Sequence, residues 1–246
     1  MNLHRLLSLS FFCIVYCSLA GAADSTDIRK VLVVPYQPGM HMSDADIDIS
    51  MQSEKDIMQI RKALRESVVG NLRSQIVSSR QVSILRTDHV AEDDNDERNV
   101  YRSIYFEKDT VWPVLHPVKD TNEIKKKPFS LKEKKTTSPK DITYMNVGFH
   151  DQQLLSELGR NYGAEVVVFL NELDINTSSK DCIDLANHIY DRTIRLHYSI
   201  FDVHSKQLYG DVAEIHITSA TNDIDEIISK HIPLLTSQVL NGLSSH

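Results

Sequence analysis

Cysteine is almost missing from this chain. Of three in 246 residues, Cys13 and Cys17 fall in an apolar N-terminal leader, so Cys182 stands alone beyond it and an intramolecular disulfide is excluded there. Glycine is also scarce, at eight. No phosphate-cradling glycine loop, G-x-G-x-x-G, G-x-S-x-G, H-E-x-x-H or paired C-x-x-C occurs, which removes the familiar nucleotide, serine-hydrolase and zinc signatures. Any catalytic site would have to be one that only the fold assembles. No apolar run approaches the roughly 20 residues that cross a bilayer, so no membrane span is expected. Positive charge is short as well: the formal net charge is −7, and it grows by one unit once Arg5 leaves with the leader. That balance argues against a general nucleic-acid binder or a binder of anionic membranes.

The leader has the parts of an export signal. His4 and Arg5 precede the apolar run Leu6 to Tyr16, and Ala20, Gly21 and Ala22 form an A-x-A-like cleavage site. Residues 1–22 are therefore expected to be a signal peptide, and 23–246 a single exported α/β domain, periplasmic or extracellular, for which ATP-dependent chemistry is not expected. A lipoprotein signal needs a small residue before its cysteine; Tyr16 and Phe12 stand there, so no lipid anchor is expected.

Beyond the leader the pattern is that of a mixed β-sheet of about five strands with helices packed on it. Lys30 to Tyr36 (KVLVVPY) reads as a buried strand stopped by Pro35 and Pro38. His41 to Ser50 reads as an acidic loop, and Ser53 as the N-cap of a long helix striped by Ile57, Ile60, Leu64, Val68, Leu72 and Ile76. Val82 to Leu85 gives a short strand. Asp151 opens a helix carrying Leu154, Leu155 and Leu158 that Gly163 ends, and Glu165 to Leu170 (EVVVFL) has the composition of a central strand. The polar stretch Asn176 to Asn187 reads as a loop, with Asn176-Thr177-Ser178 fitting a glycosylation sequon. Thr193 to Phe201 and Gln207 to Thr218 form a hairpin around the loop Val203 to Lys206. Only that loop length sets Ile194 against Ile215, Leu196 against Ala213 and Ile200 against Tyr209. Asp223 opens a last helix that Pro233 should kink or divide.

Between about residues 88 and 146 periodicity disappears. Asp88 to Glu97 is strongly acidic, and Lys119 to Lys140 holds eight lysines against Asp120, Glu123 and Glu133. Charges, prolines and polar residues dominate apart from a local aromatic patch at Tyr101, Tyr105, Phe106 and Trp112. The segment is expected to be a long, partly disordered excursion and a candidate contact surface, with Trp112 its most distinctive side chain.

Few constellations carry chemistry. Asp44-x-Asp46-x-Asp48 has the alternate carboxylates of a calcium loop, but Ile49 replaces the turn glycine and Lys55 the bidentate glutamate, so a solvated loop is favoured. Asp184, His188 and Asp191 could share a helical face near Cys182, without the further ligands a closed metal site needs; the neighbouring Asp181 and Asp184 do not suit a reactive thiol. No metal and no cofactor is expected. On the hairpin, Arg195 faces Glu214, and His197 and His216 share their side of the sheet. This polar face is the candidate binding surface.

The run Asp151 to Ile175, DQQLLSELGRNYGAEVVVFLNELDI, resembles the helix, "L-x-x-x-x-G-A" turn and central strand of the anticodon-binding-like envelope domains of CsgG, LpoB and the N-terminal part of TolB. The first strand, long helix, hairpin and final helix follow in similar order. The chain is also similar to uncharacterised exported Bacteroidetes proteins. The resemblance implies a non-catalytic module that binds an envelope protein or associates with itself. Two other classes stay open: an envelope-acting hydrolase built from histidine and carboxylates near the hairpin, and a small-ligand carrier with a dry apolar cavity under the sheet.

Overall fold

A computed structural model describes residues 30–77, 82–84, 96–110 and 143–244. It shows a mixed α/β fold whose main sheet has six strands. Val31–Val34 (β1) lies between Val82–Ile84 (β3) and the first half of Val166–Asp184 (β6), parallel to both. Beyond β6 the sheet is antiparallel, with Ile189–Asp202 (β7) and then Gln207–Thr218 (β8) at the edge. A short strand, His41–Ser43 (β2), pairs with Leu173 to Ile175 further along β6. The chain thus leaves β1 toward β3 on one side and later returns to β6 on the other. Strand order reverses at β1.

Helices cover one face. Ile57–Val77 (α2) buries Ile60, Leu64, Val68, Leu72 and Ile76, the stripe expected from spacings of four, while Ile57 stays partly exposed. Each such side chain contributes on the order of 1.5–3 kcal/mol by leaving water. The C-terminal helix packs beside it. Asp223 caps Ile224–Glu226 (α5) by accepting from the amides of Asp225 and Glu226, and Ile232–Ser244 (α6) completes the layer. The expected division at Pro233 takes the form of a π-helical turn, Ile227–His231, immediately before it.

The opposite face has a second core. Leu32, Val34, Val167, Phe169 and Phe201 of the sheet meet Leu154–Tyr162 (α4), Asp96–Ser103 (α3) and the two-stranded sheet of Ile104–Thr110 (β4) and Thr143–Phe149 (β5). Phe149, Phe169 and Phe201 meet edge to face with centroids 4.9 to 6.0 Å apart. Segment 88–146 therefore contains a helix and a strand pair at its described ends, where no periodicity was readable. Their charged residues hid the pattern: Glu97 is buried, and it binds Arg65 of α2 and the hydroxyl of Tyr101. Trp112 lies outside the described residues, as do residues 1–22.

Four local readings are corrected. His41 to Ser50 is not a loop but β2 followed by Asp46–Ser53 (α1), because Asp46 is buried between His41 and Arg61 rather than solvated. Ser53 does not cap α2. Asp56 does, accepting from the Gln59 amide at 2.8 Å while the Gln59 side chain accepts from the Asp56 amide at 3.1 Å. Ser53 instead accepts from the amide of Ile224 and so ties α1 to α5. Asn176 to Asp184 continues β6 as a hairpin arm, polar because it runs out past the core. Asp184, His188 and Asp191 consequently lie on strands and their turn, not on a helix, and His188 has φ 54°.

The register of β7 and β8 is the one the alternation demanded. Ile194 pairs with Ile215, Leu196 with Ala213, Ile200 with Tyr209 and Arg195 with Glu214. Asp202 closes the four-residue loop by accepting from the amides of His204 and Lys206, both at 2.9 Å.

Candidate functional site

A β-bulge sets up the polar face. Along β6, Val166, Val168 and Leu170 point to the helix-covered core; the extra residue at Asn171 shifts the register, so that Leu173 and Ile175 rejoin that core. Glu172 and Asp174 are thereby turned to the other face, beside Arg195 and His197 of β7. Without the bulge the two carboxylates would enter the apolar core.

A layer of hydrogen bonds separates this face from the second core. Asn171 donates to the Met145 carbonyl and to Ser199, both at 2.7 Å; Ser199 donates to Asn146 at 2.6 Å. Asn146 donates to Gln207, and Gln207 to Tyr144 at 2.6 Å. This network seats β5 across the sheet. It also explains Gly210: a side chain there would put Cβ 2.1 Å from the Tyr144 hydroxyl.

Beyond the network lies an open cleft of about 800 Å³, whose walls include Lys108 of β4, Tyr144 of β5, Glu172 and Asp174 of β6, Arg195 and His197 of β7, and Asp211 and Glu214 of β8. His197 Nδ1 accepts the Met145 amide at 2.9 Å, which leaves the proton on Nε2, 3.8 Å from a Glu172 oxygen. Burial, with Arg195 adding to it, pushes the His197 pKa down to about 4. Glu172 and Asp174 are both held above the usual carboxylate range, chiefly by burial; Asp174 raises Glu172 further, while Arg195 partly offsets the effect at Asp174. Burial also pushes the Tyr144 hydroxyl up to about 12.

The structure brings Arg195, His197 and Glu214 to this cleft and places His216 next to it. Arg195 binds Glu214 and stands 3.8 Å from Asp174. His216 bridges Asp191 at 2.8 Å and Glu214 at 3.1 Å, and the hydrogen bond its ring donates to Asp191 is the main cause of its raised pKa. Glu172, Asp174, Lys108, Tyr144 and Asp211 are cleft residues that sequence reasoning missed. For the first two there was a signal: apolar and acidic residues alternate in Glu172-Leu173-Asp174-Ile175, out of phase with the run before it.

The other candidates disperse. Asp44 accepts from the Thr177 amide and hydroxyl, Asp46 is held by His41 and Arg61, and Asp48 faces Arg192, so the three carboxylates do not converge on a cation. Asp184 accepts from Ala186 and Asn187 in its turn, and Cys182 is exposed beside the Ile189 carbonyl. Among the described residues no group of three or more His, Cys, Asp or Glu side chains could hold a metal ion. Among them, too, no helix is long and apolar enough to cross a membrane.

No family model matches the chain, and no curated protein does. A search of solved structures finds similarity to the lipoprotein GNA1162 of Neisseria meningitidis, over 89% of this chain and 99% of that one, at 14% identity and a TM-score of 0.36. Likeness of that degree assigns neither family nor function, and the anticodon-binding-like domain remains a resemblance of sequence.

Proposed function

We propose that the chain is an exported, non-catalytic protein-interaction or assembly module of the cell envelope, periplasmic or extracellular, and that the polar cleft is its contact surface. The state of His197 carries this reading. A histidine that serves as general base needs a free lone pair and a pKa near the working pH. Here the Nδ1 lone pair is occupied by the Met145 amide, Nε2 already bears the proton, and burial keeps the ring neutral. The cleft carries more acid than base, with Glu172, Asp174, Asp211 and Glu214 set against Lys108 and Arg195. A partner offering basic side chains would relieve the two carboxylates, which burial chiefly holds high, with Asp174 adding to it at Glu172 and Asp44 at Asp174.

Cross-linking the tagged full chain in its native envelope, with and without Glu172→Gln and Asp174→Asn, tests the proposal. Because the charged forms are disfavoured in the fold, these substitutions should leave it intact. A protein, or a second copy of the chain, captured by the wild type and lost in the double variant is the expected result; equal capture by both would refute the assignment of the cleft.

One observation favours the hydrolase reading: Glu172, raised by burial, sits 3.8 Å from the imidazole in an open cleft, the setting of a general acid. Turnover of envelope glycan or peptide by the wild type, abolished in Glu172→Gln, would establish that reading over ours.

A further inference from the structure

We infer that the chain also carries a small-molecule site, at the carboxyl end of β1, built for a small organic anion with an apolar body. It shares no residue with the cleft and goes beyond the interaction role. Three independent observations converge on it.

The first is position. β1 is the strand at which strand order reverses, since its neighbours β3 and β6 are reached by connections leading to opposite sides. In open α/β sheets the crevice outside the carboxyl end of such a strand is where ligands bind, because the flanking connections diverge and leave a gap. Tyr36, Pro38 and His41 follow β1 directly and, with the first turns of α2, enclose a pocket of about 340 Å³ there. That volume falls within the usual range of ligand sites.

The second is unmet hydrogen bonding. Tyr36 is 1% exposed and His41 3%, yet among the described residues neither the Tyr36 hydroxyl nor His41 Nδ1 has a partner. His41 uses Nε2 on Asp46 at 3.2 Å, which presents Nδ1 as an acceptor. A buried polar group without a partner costs on the order of tenfold or more in the folding equilibrium, so the Tyr36 donor beside this pocket calls for an acceptor on a ligand to meet it. Burial holds the Tyr36 hydroxyl protonated, as a donor.

The third is charge. Arg61, Lys62 and Arg65 stand round the pocket; Glu66 is the acid among its lining residues, and Asp46 and Glu97 each pair with one of the two arginines from behind. Arg61 gives Nε to Asp46, and Arg65 gives Nε to the Tyr36 carbonyl and Nη2 to Glu97 and Tyr101, so each guanidinium retains donors. Lys62 is exposed at the rim, 3.6 Å from Glu66. Pro38 and Met58, the latter 70% exposed, give apolar walls. The cations would hold an anionic group, the walls its apolar body and Tyr36 one further oxygen.

The test titrates the full chain with phenyl phosphate, with inorganic phosphate as the arm lacking an apolar body and benzyl alcohol as the arm lacking charge, following the Met58 methyl resonance by NMR. Phenyl phosphate should bind saturably with a Kd on the order of 1 mM, and more tightly than either control. Tyr36→Phe should weaken it about tenfold while leaving thermal stability unchanged or higher, because the hydroxyl it removes has no partner among the described residues. Lys62→Glu, at an exposed position, should weaken it by a similar factor. Absence of saturation, equal binding by both variants, or lost stability in Tyr36→Phe would overturn the inference. The cleft proposal stands or falls separately.

Discussion

Acidifying the protein from pH 7 should cost stability through His197. In the unfolded chain its imidazole takes a proton near pH 6.5; in the fold that pKa is about 4, because the ring is buried and Nδ1 would have to release the Met145 amide to accept a proton. The sign follows from proton counting. Above pH 7 neither state is protonated and the group contributes nothing; as pH falls below about 6.5 the unfolded state binds the proton first, so stability drops until both states are protonated below about pH 4. The gap corresponds to about 2 kcal/mol at pH 5 and to about 3 kcal/mol at full extent. Urea denaturation of wild type and His197→Asn at pH 7 and pH 5 isolates the effect, since asparagine can accept the same amide but cannot titrate. The wild type should lose about 2 kcal/mol more than the variant over that interval. Parallel losses, or an NMR titration of the His197 ring near pH 6.5, would refute the reasoning.

Among the described residues Arg192 is the largest fully buried side chain, and it joins Thr177 of β6, Thr221 and Asn222 before α5, and Asp48 of α1. Arg192→Ala leaves those acceptors without their donor and should lower unfolding free energy by about 3 kcal/mol in urea titration. Asp56→Ala removes the cap of α2 and should cost about 1 kcal/mol, with helical content unchanged by circular dichroism at 25 °C. Two glycine substitutions should act in opposite directions. Nothing lies within 4 Å of a Cβ added at Gly70 in α2, so Gly70→Ala should raise stability by about 0.5–1 kcal/mol. Gly210→Ala should lower it by about 2 kcal/mol through displacement of Tyr144.

Much of the main sheet was legible, and for definite reasons. The α2 stripe, the run Glu165 to Leu170 and the β7–β8 register each bury one face of a regular element, so hydrophobic period and burial coincide. Where that coincidence fails, the sequence misleads. Asp46 and Glu97 are buried acids whose partners, Arg61 and Arg65, come from a different element, so α1 and α3 look like solvated loop. Asn176 to Asp184 extends past the core and has no apolar face to display. The hairpin half of the cleft, Arg195, His197 and Glu214, followed from register alone. Its other half depended on the bulge at Asn171, which inverts the facing of Glu172 and Asp174, and on β4 and β5, which a long segment of sequence separates. Neither is a local property of the chain.

The proposed role requires that the cleft be a surface that other protein occupies. A photo-cross-linking amino acid at Val212, on the cleft wall, in the full chain expressed in the cells that naturally produce it, addresses that directly. An adduct with one specific protein, or with a second copy of the chain, that disappears in the Glu172→Gln/Asp174→Asn variant is the predicted result; no adduct from Val212, or one unaffected by removing both carboxylates, would contradict it.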